Sequence, residues 1–244
     1  MEALRKKYLE AADAYIEKEK QNPDVIGIVV SGSLTNGTID KNSDIDIHLI
    51  LDPACEYRER GNVWVNDIEI EYFKNPPAQI IAYFEREKKS PHTAHMLAFG
   101  QIYFSKSSIV AELVSTAQSI MSLPPATFKE PEIEFEKYFL DDFYKDLEDA
   151  QINQDFVGAA LIRHKIVNRS IDIFCKKHRI WRAKDKRLLQ QLSDKDAHFY
   201  AIIESTLQEH WNSVSAISAL RIYVEKMLGG GRSANWKLRS PLDI

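Results

Sequence analysis

The chain has 244 residues, of which 44% are hydrophobic and 28% charged, and its formal net charge is −4. Such a length and composition fit a folded globular protein of one large or two modest domains, and the acidic balance argues against a chain devoted to gripping long nucleic acid. No apolar run approaches the roughly 18 residues of a membrane helix, the polar stretch Met1 to Lys6 does not read as a secretory signal, and Cys55 and Cys175 form no Cys-x-x-Cys pair, so no membrane contact and a reducing, cytoplasmic setting are expected.

Leu4, Tyr8, Ala11, Ala12, Tyr15 and Ile16 recur at helical spacing and predict a helix over 2–21, stopped by Asn22-Pro23. Val25 to Val30 is the continuous apolar run of a buried strand. Gly32-Ser33 follows, then a short helix ending at Asn36-Gly37, where glycine tolerates a left-handed cap. A second strand is predicted over 44–51, closed by Asp52-Pro53.

Side chains alternate along a strand, so Asp44 and Asp46 project to one side, about 6 to 7 Å apart. Two such carboxylates repel unless a cation lies between them, and Mg²⁺ is a hard ion bound through carboxylates together with substrate phosphates. The turn ahead of them supplies the complement. Gly32 lets backbone approach a phosphate closely, and Ser33 offers a hydroxyl and an N–H to anionic oxygens.

Val63 to Phe73 predicts a hairpin turning at Asn66-Asp67, with Ile68, Ile70 and Tyr72 alternating against Glu69, Glu71 and Phe73. Two glutamates thus share one face, and alternation alone does not choose between them. A helix over 78–89, a short helical piece from Thr93, a turn at Gly100, a strand over 101–105 and a helix over 107–121 follow. The stretch 122–131 holds three of the nine prolines and reads as a linker.

Strand, Gly-Ser, ten residues, Asp-x-Asp and a later acidic strand together resemble the DNA polymerase beta-like nucleotidyltransferase superfamily. The likeness covers roughly residues 24–110. Thr93 to Phe104 looks like the helix, glycine turn and strand of stand-alone members such as the aminoglycoside and lincosamide nucleotidyltransferases. The resemblance implies an α+β architecture: a nucleotidyltransferase domain over 1–121 with a mixed sheet flanked by helices, the linker 122–131, and a helical bundle over 132–244 that binds substrate or nucleotide.

It further implies that Asp44, Asp46 and Glu71 are catalytic and hold two Mg²⁺ ions. Glu71 is chosen over Glu69 because the family places a turn, an apolar residue, any residue, an apolar residue and then the acid. Gly32 and Ser33 would hold the β and γ phosphates of a nucleoside triphosphate, with ATP the expected donor. The product would be a nucleoside monophosphate ester on an acceptor hydroxyl, with pyrophosphate released; a small molecule such as an antibiotic is the favoured acceptor.

Beyond the linker the pattern is helical. Phe139, Phe143 and Leu147 stand four apart, and further helices are predicted over about 155–178, 184–192, 195–208 and 210–228, before Gly229-Gly230-Gly231 and a tail holding Trp236 and Arg239. Eight acids against two bases fill 132–149, and ten bases against two acids fill 163–187. A solvated helix face is the plain explanation of either run. Arg179 to Leu188 resembles the aromatic-then-lysine segment of related small nucleotidyltransferases, which would make Lys184 and Lys186 triphosphate contacts, while the acidic helix would suit a polycationic acceptor.

The general base stays open at this level: His48 shares the aspartates' face but fits a structural role, and Asp141 or Asp142 would serve. His92 and His95 have a His-x-x-His spacing, yet no further ligands cluster near them, so a zinc site is not expected. Two other readings compete: a non-catalytic nucleotide-binding regulatory module, and a protein adenylyltransferase acting on a toxin partner. A homodimer is compatible with the resemblance, since relatives' active sites are sometimes built across dimers.

Overall fold

The computed structural model describes residues 2–210, 213–235 and 237. Trp236 and Arg239 of the tail lie outside the described residues, as do Trp211 and Asn212. The chain divides into two compact units, Met1–Leu123 and Pro124–Ile244.

The first unit runs α1 (Glu2–Glu19), β1 (Val25–Ser31), α2 (Ser33–Asn36), β2 (Ile45–Leu51), β3 (Glu59–Val65), β4 (Ile68–Asn75), α3 (Pro77–Arg86), α4 (His92–Ala98), β5 (Gln101–Ser105) and α5 (Ser108–Ser122). Its five strands form one mixed sheet in the order β3-β4-β2-β1-β5, in which β2 and β4 pair parallel and the other neighbours antiparallel. All seven residues of β1 are buried, as its unbroken apolar run requires of a strand covered on both faces. The β3–β4 connection is a two-residue hairpin with positive φ at Asn66 (51°) and Asp67 (59°), the primed turn that Asn and Asp tolerate best.

One sheet face, carrying Ile28, Val30, Ile45, Ile47, Leu49, Ile68 and Ile70, packs under α1 against Tyr8, Ala11, Ala12, Tyr15 and Ile16. The other packs Val29 and Ile50 against Ile80 and Phe84 of α3, Ala94 and Leu97 of α4 and Val110 and Leu113 of α5. Each buried Ile, Leu, Val or Phe side chain contributes about 1.5–3 kcal/mol relative to exposure, so these two layers hold the sheet.

The second unit is helical: α6 (Glu130–Ile152), α7 (Phe156–Lys177), α8 (Asp185–Lys195), α9 (Ala197–Gln208) and α10 (Ser215–Leu228). Its core centres on Phe174 and Phe199, whose rings stack 4.1 Å apart, and it includes the buried Cys175. Helix α6 begins inside the stretch read as a linker, because Pro131 is well tolerated in a first turn.

Helix α10 begins at Ser215, later than its apolar spacing predicts. The cause is Glu209, whose carboxylate accepts hydrogen bonds from the Ser213 hydroxyl (2.5 Å), the Ser215 hydroxyl (2.6 Å) and the Ala216 N–H (3.0 Å). Arg163 clamps the same turn, donating to Glu209 Oε2 (2.6 Å) and to the carbonyls of His210 and Ser213, both 2.9 Å. Among the described residues no helix is long and apolar enough to cross a membrane.

Candidate active site

At the end of β1, register aligns four residues in a row across the sheet: Ser31 opposite Asp46, Asp46 beside Glu71, and Glu71 opposite Asn62. The next row inward is Val29, His48, Phe73 and Arg60. Asp46 therefore lies on the face whose deeper part, Val29 and Ile50, packs on α3, α4 and α5. Parallel pairing of β2 with β4 is what sets Asp46 beside Glu71 rather than Glu69.

Asp44 precedes β2 by one residue, yet one carboxylate oxygen from each of Asp44, Asp46 and Glu71 lies within 4.8 Å of the others. Asp44 is exposed and the other two are half-buried. Among the described residues this is the one group of three or more acids, histidines or cysteines so placed. Glu69 stands apart from it, accepting a hydrogen bond from Asn62 Nδ2 at 2.6 Å.

The Gly-Ser turn closes over the cluster. Gly32 has φ 80° and ψ −148°, a conformation essentially reserved for glycine, and a Cβ there would sit 2.3 Å from Asp46 Oδ2. Any side chain would push that carboxylate away. Ser33 opens α2 with its Oγ 3.4 Å from the Asp44 carbonyl oxygen, and Gly37, at φ 76°, closes the helix by donating its N–H to the Ser33 carbonyl.

The loop before Asp44 is pinned from the opposite layer. Tyr8 of α1 donates to the carbonyls of Ser43 (2.7 Å) and Asp40 (3.2 Å), while the Asp40 N–H donates to Ser43 Oγ (2.9 Å). Burial, then the Asp40 and Asp44 charges, push the Tyr8 phenol above its ordinary value, which keeps it a donor. Sequence reading missed this role, because Tyr8 served equally well as an apolar helix position.

His48 is enclosed, with its ring stacked 4.8 Å from that of Phe73. Burial lowers its pKa to about 4, and its Nε2 has no hydrogen-bond partner among the described residues. An imidazole so covered does not meet an acceptor hydroxyl. Ser31 is buried too, and its Oγ likewise has no partner there, directly opposite Asp46 in register. No sequence signal marks that hydroxyl, since a serine closing an apolar strand reads as the start of the turn. His92 lies 3.0 Å from Ser90 Oγ and the His95 ring lies tilted against Phe99, and neither belongs to the carboxylate cluster.

Lys184 and Lys186 belong to the second unit. Lys184 stands immediately ahead of α8 and Lys186 in its first turn, where Lys186 lines an open groove of about 540 Å³ with Arg187, Lys195 and Asp194. Among the described residues two ion pairs join the acidic and basic runs, and other members of both pair with groups outside the opposite run. Glu136 accepts from Arg169 (2.6 Å), Glu132 from Lys176 (3.1 Å), and Asp141 lies within salt-bridge distance of Lys145 (2.7 Å), Arg232 (3.1 Å) and Arg221 (3.5 Å).

Residues 13–103, from the middle of α1 to β5, match a family model described as a nucleotidyltransferase domain. Among solved structures, the nucleotidyltransferase-like protein from Exiguobacterium sibiricum 255-15 is similar at 14% identity, over 90% of this chain and 74% of that one, with a TM-score of 0.48. No curated protein matches the chain. The glycine-serine turn, the aspartate pair and the acidic strand beside them fall inside the matched segment, and residues 13–103 are thus a nucleotidyltransferase domain of the DNA polymerase beta-like type.

Proposed function

We propose that this domain transfers a nucleoside monophosphate from a nucleoside triphosphate, ATP being the expected donor, to a hydroxyl of a small-molecule acceptor of the antibiotic kind. The observation that carries the reading is the meeting of Asp44, Asp46 and Glu71 within 4.8 Å of one another beneath a glycine turn. The donor set fits Mg²⁺: all three ligands are hard carboxylate oxygens, and the unpartnered Ser31 Oγ beside Asp46 offers a further polar group. Two divalent ions held there would stabilise the entering and leaving oxygens of an in-line displacement.

The chain's own residues then have defined tasks. Asp44, on the exposed rim, and Asp46 and Glu71, set side by side by strand pairing, would hold the ions that supply this stabilisation. Gly32 leaves room for triphosphate oxygens beside the Asp46 carboxylate, and Ser33 offers its N–H and hydroxyl to them. An acceptor oxygen forms its bond to the α phosphorus as the α–β bridging bond breaks; pyrophosphate departs and the hydroxyl proton is released.

Incubation with α-labelled nucleoside triphosphates, Mg²⁺ and panels of hydroxylated antibiotics, proteins and RNA tests the proposal. Label on a small molecule, lost on chelation and in a folded Asp46→Asn variant, is the expected result. Metal-dependent transfer that survives Asp46→Asn refutes the site. Label on protein or RNA refutes the acceptor class.

A further inference from the structure

Glu71 carries a cation of its own. From β3, Arg60 donates through both Nε (3.0 Å) and Nη2 (2.5 Å) to the same oxygen, Glu71 Oε1. Register sets Arg60 opposite Phe73, so the guanidinium reaches two residues along β4 to find the carboxylate. The Phe73 ring supports it, with the guanidinium carbon 4.9 Å from the ring centroid, and Phe73 is itself stacked on the enclosed His48. The carboxylate and the aromatic face together hold the guanidinium, a use to which arginine is suited and lysine is not.

Three carboxylates drawn this close repel one another, and a fixed positive charge on one of them offsets part of that repulsion. The same charge opposes any divalent ion entering the cluster. Resting on the metal-dependent reading above, we infer that Arg60 is a resident counter-cation and positioning residue: it holds Glu71 in place before an ion arrives and keeps the site's affinity for a free divalent ion low. An ion that arrives on a triphosphate brings negative charge with it and is disfavoured less. Arg60 thereby biases the site toward nucleotide-borne metal.

Mn²⁺ titration of the full chain, followed by electron paramagnetic resonance without nucleotide, reads this directly. Removing one positive charge beside the site should tighten Mn²⁺ binding in Arg60→Ala by about three- to tenfold, given Coulomb attraction at high effective dielectric. Tightening is an outcome that structural damage does not produce. Arg60→Lys, which keeps the charge, should stay within about threefold of the parent. Unchanged or weaker binding in Arg60→Ala overturns the role of Arg60, as does Arg60→Lys behaving like Arg60→Ala. If the parent itself binds no Mn²⁺ that Asp46→Asn abolishes, it is the metal-dependent reading that fails.

Discussion

Acidic side chains serve opposite ends in the two units. In the helical unit, acids meet bases: Glu136 holds Arg169, Glu209 holds Arg163, and Asp141 gathers Lys145, Arg221 and Arg232. In the sheet unit, strand register makes three acids face one another, and Arg60 attends one of them. Density of charge along the chain is therefore a poor guide to chemistry. The densest acidic run, in α6, supplies ion pairs to its own unit, while the candidate site gathers three acids scattered over 28 positions of sequence.

If this contrast holds, substitutions in the first unit change activity without changing stability, and those in the second do the reverse. The largest effect belongs to Asp46→Asn. Loss of a ligand worth several kcal/mol of transition-state stabilisation should lower kcat by about 10³-fold or more, with circular dichroism and thermal midpoint unchanged or slightly raised as repulsion is relieved. A drop in midpoint large enough to unfold the sheet unit would break the comparison.

Next comes Arg163→Ala. Both partners of the Arg163–Glu209 pair are nearly buried, at 9% and 11% side-chain exposure, and stripping one leaves the other uncompensated. A destabilisation of about 3–5 kcal/mol is expected from denaturant unfolding of the helical unit, with Mn²⁺ affinity untouched. A change below about 1 kcal/mol would mean that the turn before α10 holds without its clamp.

The pH dependence of that unit follows from the same carboxylate. Burial pushes the Glu209 carboxyl up, but hydrogen bonds from Ser213, Ser215 and the Ala216 N–H, with the Arg163 charge, outweigh it and hold the pKa at about 2, below the ordinary 4.5. In the unfolded chain the group binds its proton first as pH falls, so its contribution is fully present above pH 4.5 and is lost as pH drops toward 2. Glu209→Gln should flatten the stability profile in that window, and an unaltered slope would assign the acid sensitivity elsewhere.

The smallest effect is expected of Arg169→Ala, which removes a half-exposed pair between α6 and α7 and lets Phe139 lose the guanidinium 4.5 Å from its ring. About 0.5–1 kcal/mol in unfolding free energy is the expected cost, screened by salt. A loss of several kcal/mol would show that the charge runs are structural determinants rather than a modest supplement to the Phe174 and Phe199 core.

Much of the first unit was legible because its signals are local. Apolar runs, the Asn66-Asp67 turn and alternation in β4 each sit within a few residues, and they set out the sheet's strands and hairpin. Alternation left Glu69 and Glu71 equivalent and only the family resemblance favoured Glu71; its physical ground is pairing, since Asp46 and Glu71 are neighbours because β4 runs parallel to β2 in that register. Tyr8, Ser31 and Arg60 were invisible for the same reason, since their partners lie 35, 15 and 11 residues away along the chain. In the helical unit, the charge runs looked available to ligands until two acids of α6 were seen to pair with two bases of α7, and α10 starts late because Glu209, held by Arg163 from 46 residues away, accepts hydrogen bonds from Ser213, Ser215 and Ala216.

Tyr8 has a practical consequence for anyone cutting this protein. The segment recognisable as a nucleotidyltransferase domain begins at residue 13, in the middle of α1, and leaves out the tyrosine whose hydroxyl ties down the Asp40–Ser43 loop. A fragment trimmed to the recognisable segment would retain every acid of the cluster and still lose the anchor that precedes Asp44. The smallest piece able to present Asp44 in place is longer, at its front edge, than the piece that similarity delineates.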